Sequence, residues 1–237
     1  MNTFDLGDVA RATQAGQRLS ARAPLVDDVH GALVDMLMNH DIDPGSRLNI
    51  DALARGLGVS PTPVREALAR MEAEGLVVKE PRRGYAVSPV IGLDELRALI
   101  DFRLLVEPAA AAAAARTATP EQATALVALA RSGGAGRRDA TANRQDMVYD
   151  ATFHDMVAEL GGNPWLRDAL ARTRSHLHMY RLYHHAKQAA ATKPEHVAIA
   201  KAIAGGDADA AAEAMRAHLC TAMRRIDDVF GAAELSG

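Results

Sequence analysis

The residues best equipped for chemistry are an aspartate and three histidines in the second half of the chain. Asp150 and His154 in "DATFH" stand one helical turn apart, so a helix stacks a carboxylate and an imidazole on one face. His196 in "PEHVAI" and His218 in "MRAHL" are separated by a helix, a Gly-Gly-Asp turn and most of an antiparallel return. A carboxylate with three imidazoles is a donor set for a divalent ion: zinc first, with nickel or manganese as other occupants, and one position left open. The chain has nine histidines, which makes chance pairs easy, and a lone histidine on a bundle helix is usually packed or solvated. Spacing alone therefore leaves both readings open. His176, His178, His184 and His185 crowd "HLHMYRLYHH", which fits a solvated or dimer-facing stripe equally well, and no metal role is expected of them.

A second constellation lies between Ser60 and Ser88, in "SPTPVREALARMEAEGLVVKEPRRGYAVS". Pro61 and Pro63 fall in a first turn whose N–H groups have no helical partner anyway, and Ser60 is the expected N-cap. The exposed positive end of that helix attracts phosphate. Val64, Ala67, Leu68 and Met71 recur at helical spacing as a buried face, leaving Thr62, Arg65, Glu66, Ala69 and Arg70 outward. Upstream, "NIDALARGLGV" reads as a shorter helix capped by Asn49 and ended at Gly58, which completes a helix-turn-helix outline. Downstream, "LVVK" and "YAVS" read as strands joined by "EPRRG", with Gly84 free to take a positive φ. Such a hairpin is a wing, and Arg82 and Arg83 at its tip are expected phosphate or minor-groove contacts. A packing unit within an all-helical domain remains the bland alternative for the helix pair, and an ordinary solvated turn for the arginines.

These constellations need two kinds of scaffold. A first helix is expected from Pro24 to Asn39, ahead of the helix-turn-helix, with residues 1–22 as a flexible tail. Past Pro89 the texture changes to alanine-rich helices near 93–116, 120–132, 140–160, 164–187, 194–205 and 207–230, broken by "SGGAG", "LGGNP", "ATKPE" and "AGGD". The expected architecture is mainly α: a winged helix-turn-helix DNA-binding domain over 23–89 and an all-α helical bundle over 90–232. The net charge of −3 does not suit a general nucleic-acid coat, so DNA contact must be local, selective and reinforced by dimerisation. A single cysteine, Cys220, excludes an internal disulfide framework. With no signal peptide and no apolar run of membrane-spanning length, the expected location is the cytoplasm, with no membrane partner.

The first domain resembles the winged helix of the GntR family of bacterial transcription regulators, through "DPGSRL", "LARGLGVSPTPVREAL" and "EGLV" followed by "RRGYAV". The remainder resembles the FadR-type effector-binding domain, FCD, through "LRALIDFRLLVEPAAAAAAA", "DATFHDMVAELGGNPWL" and "EHVAIAKAIAGGDADAAAEAMRAHL". This resemblance implies a homodimeric regulator, not an enzyme, that binds palindromic operator DNA and responds to a small carboxylate metabolite. It maps base reading onto Ser60, Thr62 and Arg65 and the wing tip onto Arg83 and Gly84. Pro61 departs from the arginine many members carry there, which removes one guanine contact. Arg65 is then the principal base reader, because a guanidinium pairs with both acceptors of guanine. The metal-binding FCD subgroup places its ligands at the positions of Asp150, His154, His196 and His218. Arg103 matches an arginine that holds effector carboxylate, with an ion pair to Glu107 as the alternative. Asn163 matches the "GNP" asparagine, with helix capping as its simpler role. Two other readings use the same ligands: a sensor for which the ion itself is the signal, and a metal-dependent hydrolase. The hydrolase fits poorly, since no carboxylate in the sequence stands out as a general base beside the cluster.

Overall fold

The computed structural model describes residues 26–133, 142–182 and 186–234; the expected tail lies outside them, as do His184 and His185. The described residues fall into two compact units. One comprises those up to Val90 together with 142–144 and 179–182; the other comprises 91–133, 145–178 and 186–234.

The first unit runs α1 (Val26–Met38), β1 (Arg47–Leu48), α2 (Ile50–Leu57), α3 (Pro61–Ala73), β2 (Val77–Glu80) and β3 (Gly84–Val87). Asn49 starts α2 by accepting the Ala52 N–H at 3.0 Å, and Gly58 ends it at φ 71°, a conformation that glycine adopts without steric cost. Ser60 is extended at the head of α3, but its hydroxyl makes no capping bond; Pro61, whose fixed φ suits a first helical position, follows it. Val64, Ala67, Leu68 and Met71 are buried, and α1 and α2 pack on α3. The three strands are antiparallel in the order β1-β3-β2, with Val77 opposite Val87 and Glu80 opposite Gly84. The sequence reading lacks β1, because two residues are too few to show alternation. At the hairpin tip both Arg82 (φ 63°) and Gly84 (φ 84°) are left-handed.

The remaining helices are α4 (Leu93–Thr117), α5 (Pro120–Ser132), α6 (Ala142–Leu160), α7 (Pro164–Thr173), α8 (Ser175–Leu182), α9 (Ala186–Ala204) and α10 (Ala208–Glu234); all belong to the second unit except residues 142–144 of α6 and 179–182 of α8. Buried Ala110, Ala111, Ala114 and Ala115 let α4 approach its neighbours closely, and its most extensive partner is α10. Helix α9 packs against α10, α5 and α4. Phe153, Val157, Leu126, Ile199, Ile203, Met215 and Leu219 complete the core.

Two expected helices differ from the observed ones. The single helix expected over 164–187 breaks at Arg174, which is left-handed (φ 49°, ψ 35°), and no glycine or proline announces that break. The helix expected to begin at Pro194 instead begins at Ala186 and runs through the proline. Pro194 removes one helical hydrogen bond, but the burial of His196, Ile199, Ala200 and Ile203 just beyond it keeps the helix continuous. Among the described residues, no helix is long and apolar enough to cross a membrane.

The close approach of α4 to the end of α6 is testable. A β-carbon on Gly161 would lie 2.9 Å from the Ala110 carbonyl oxygen, so Gly161→Ala is expected to destabilise the protein by about 1–3 kcal/mol in chemical denaturation. An unchanged midpoint would show that the two backbones separate freely.

Candidate functional site

Helices α6, α9 and α10 each place a histidine on their buried stripe rather than on a wet face. His154 follows Phe153 on α6, His196 sits among Ile199, Ala200 and Ile203 on α9, and His218 lies between Met215 and Leu219 on α10. Their exposures are 6%, 0% and 4%, so none can rely on water to satisfy its ring nitrogens. One nitrogen of each lies within 4.8 Å of the others, a grouping suited to a metal ion. Asp150, one turn before His154, brings its Oδ1 to 3.8 Å from His154 Nε2 and 3.6 Å from His196 Nε2. All four residues singled out from the sequence therefore meet.

The other nitrogen of each ring is already committed. His154 Nδ1 lies 2.5 Å from Glu107 Oε2, His218 Nδ1 lies 2.8 Å from Glu195 Oε2, and His196 Nδ1 lies 3.0 Å from the Tyr149 hydroxyl. An ionised carboxylate only accepts, so His154 and His218 carry their protons on Nδ1 and turn Nε2 toward the centre. His196 Nε2 is buried with no hydrogen-bond partner. Arg103 holds Glu107, and Arg225 holds Glu195, in ion pairs. Among the described residues, the ion-pair partners of Asp150 are imidazoles, with Arg103 acting on it at longer range, so a carboxylate faces the ring nitrogens at the centre. A buried ring nitrogen without a partner beside a carboxylate is an arrangement that a divalent cation satisfies, and this donor set fits zinc, nickel or manganese.

Electrostatics agree with that arrangement. Burial, reinforced by His218 and His154, holds the proton affinity of His196 well below the ordinary histidine range. Burial also lowers that of His218, although its bond to Glu195 opposes the shift. Glu107 stays ionised: its burial is outweighed by Arg103 and His154, which together push it far below the usual carboxylate range.

A pocket of about 190 Å³ opens on the Asp150–His154 side, lined further by Asp155, Arg167, Leu170 and His176. It is smaller than the roughly 300 Å³ at which drug-sized ligands fit. Arg167 is held by both carboxylate oxygens of Asp155, at 2.8 and 2.7 Å. Burial lowers the proton affinity of His176. Arg103, 3% exposed, donates to Glu107 and packs its guanidinium 3.3 Å from both nitrogens of His154. It forms the ion pair that was the alternative to effector contact. Asn163 is off the pocket lining: its Oδ1 accepts from the Trp165 and Leu166 N–H groups and caps α7. Sequence reasoning missed Tyr149 and Glu195, each next to a ligand in sequence, and saw Glu107 only as an ion-pair partner.

On the first unit, Ser60, Thr62, Arg65, Arg82, Arg83 and Gly84 are all exposed. The arginines of α3 differ in commitment. Arg70 is tied to Asp27 at 2.7 Å and Glu74 at 3.1 Å, and Glu74 also takes His30 at 2.7 Å. Arg65, on the outward face, has no hydrogen-bond or ion-pair partner among the described residues. Arg83 makes only a 4.0 Å approach to Glu80.

Residues 25–87 match the family of bacterial regulatory proteins described as gntR, and residues 98–221 match the FCD domain. Among curated proteins, the chain is 30% identical to the HTH-type transcriptional repressor NanR of Klebsiella aerogenes, over 86% of this chain and 85% of that protein. It is 32% identical to an HTH-type transcriptional regulator in an unstable DNA locus of Streptomyces ambofaciens, over 81% of this chain and 80% of that one. Among solved structures, E. coli McbR/YncC superposes with a TM-score of 0.61 at 19% identity, covering 88% of this chain and all of that chain, which is a likeness of fold.

The depressed proton affinities fix a sign for the metal-free protein. Above about pH 6.5 His196 and His218 are neutral whether folded or not, so they make stability no more pH-dependent there. Below that value the unfolded chain takes up protons that the buried rings resist, and stability falls. Thermal unfolding of chelated protein should therefore show a midpoint that drops between pH 7 and pH 5; a flat profile would mean that these rings are not buried and neutral.

Proposed function

The chain belongs to the gntR family of bacterial regulatory proteins, with an FCD domain following its DNA-binding domain, and on that premise we propose a metabolite-responsive transcription regulator that holds a divalent metal. The observation that carries the metal reading is the buried, partnerless Nε2 of His196, facing Asp150 in a cluster with His154 and His218. In this reading those four residues hold the ion, zinc by preference. When bound, it would supply a positively charged seat for one carboxylate oxygen of a small organic acid.

This chain's own residues do the rest. Glu107 and Glu195 hold His154 and His218 in the ligating tautomer, and Arg103 keeps Glu107 ionised while offering its remaining donors to the effector carboxylate. The pocket limits the effector to a small acid. Asn163 acts by fixing the start of α7, which carries the pocket residues Arg167 and Leu170. The regulator works in the cytoplasm as a homodimer on a palindromic operator. Ser60, Thr62 and Arg65 read bases, and Arg82, Arg83 and the Gly84 backbone grip the phosphates or the minor groove. The uncommitted guanidinium of Arg65, next to the fully committed Arg70, supports its part. The NanR relative is named as a repressor, and repression relieved by effector is the mode we assign here.

Two experiments test these parts separately. Arg65→Ala should cost about 1–3 kcal/mol on operator DNA and relax discrimination at one base pair, whereas Arg83→Ala should weaken all sequences alike and flatten the salt dependence. Operator affinity unchanged in Arg65→Ala would remove the recognition-helix assignment. For the effector, a panel of small organic acids is added to operator complexes of zinc-loaded and of chelated protein, and release is followed by fluorescence anisotropy. An effector can shift DNA affinity only through its differential affinity for two states, so release is expected from the loaded protein alone. Equal release from both would rule out the metal as the carboxylate seat.

A further inference from the structure

His196 differs from the other two histidines in its outer partner. His154 and His218 lean on carboxylates, whereas His196 leans on a phenol. A phenol can donate or accept, so the partner alone does not fix the ring's tautomer. The neighbours of Tyr149 decide it. Its hydroxyl lies 3.0 Å from the carbonyl oxygen of Ala130, which can only accept, and 3.0 Å from His196 Nδ1. The hydroxyl has one proton. Both contacts are hydrogen bonds only if that proton goes to Ala130 and the oxygen lone pair receives an N–H from His196 Nδ1.

We infer that Tyr149, seated by Gly133 and the Ala130 carbonyl, is the positioning residue that locks His196 with its proton on Nδ1 and its Nε2 lone pair turned to Asp150. The ligating role of that lone pair rests on the metal reading above; the tautomer itself does not. Two features hold the lock in place. A β-carbon on Gly133 would lie 2.1 Å from Tyr149 Cζ, so the ring occupies space that any larger residue at 133 would fill. Phe153 stacks on the His196 ring at 4.0 Å and 11°, which stops the imidazole from tilting. Helix α6 thus presents two adjacent columns: Asp150 and His154 toward the centre, and Tyr149 and Phe153 as the wall that holds the histidine of α9.

The arrangement is tested on metal-free protein first. Long-range proton–nitrogen correlation spectra of histidine-labelled protein at pH 8, with the His196 signals assigned by substitution, are expected to show the Nδ1–H form in the wild type. Tyr149→Phe keeps the ring and removes only the hydroxyl, and should give a mixture of tautomers. Gly133→Ala should do the same by displacing the ring. A wild-type His196 protonated on Nε2, or a tautomer unmoved in Tyr149→Phe, would overturn the inference. Zinc affinity, measured by competition with a chromophoric chelator, should then fall by about 10–100-fold in Tyr149→Phe. An altered tautomer with undiminished zinc affinity would overturn the positioning role. A wild-type protein with the expected tautomer but no zinc binding would instead overturn the metal reading and leave the tautomer assignment standing.

Discussion

Three imidazoles are buried in a core of alanine, leucine and isoleucine, and the second unit is arranged around satisfying them. A buried polar group left without a partner costs about 1–3 kcal/mol, so each ring nitrogen constrains whatever lies next to it. The partners come from a different helix each time. Glu107 of α4 holds His154 of α6, Tyr149 of α6 holds His196 of α9, and Glu195 of α9 holds His218 of α10. Arg225 of α10 then returns to Glu195. This relay ties four helices that are far apart in sequence, and what it leaves unsatisfied points inward to one place. The partnerless Nε2 of His196 beside the Asp150 carboxylate is thus a consequence of how the outer contacts are paired.

Commitment of charge sorts function from scaffold in the first unit as well. Arg70 is paired with Asp27 and Glu74, and Glu74 also contacts His30, so these groups of α1 and α3 and the turn after it are committed to one another. Arg65 and the wing arginines are exposed and have at most a distant acidic neighbour. Exposed ion pairs are worth little on a surface, so an arginine left without one gives up little and stays available to a polyanion. For a chain with a net charge of −3, the proposed DNA contact therefore rests on a few local cations, Arg65 on α3 and Arg82 and Arg83 on the hairpin.

Much of this was legible in the sequence, for identifiable reasons. The face Val64, Ala67, Leu68 and Met71 is visible because helical period and burial coincide there, whereas Asp150, His154, His196 and His218 are singled out by the resemblance to the metal-binding FCD subgroup, since spacing alone leaves a chance grouping open. The outer partners were not. Tyr149 and Glu195 adjoin ligands in sequence, and on a helix adjacent residues point about 100° apart, so no periodic pattern links Tyr149 to His196 or Glu195 to His218. The break at Arg174 was invisible because an arginine takes the left-handed conformation under tertiary constraint, not by preference. Pro194 misled in the opposite direction, since packing on its far side carried the helix across it. Strand β1 is a product of pairing with β3 and has no signature of its own.

In the proposed reading His154, His196 and His218 ligate one metal ion through Nε2, alongside Asp150. X-ray absorption at the metal edge, on protein purified without a histidine tag, tests it most directly. One ion per chain is expected, with imidazole back-scattering from three rings at roughly 2.0–2.1 Å for zinc, plus oxygen donors. Protein that carries no ion after equilibration with zinc, or an ion whose spectrum shows no more than one imidazole, would contradict it.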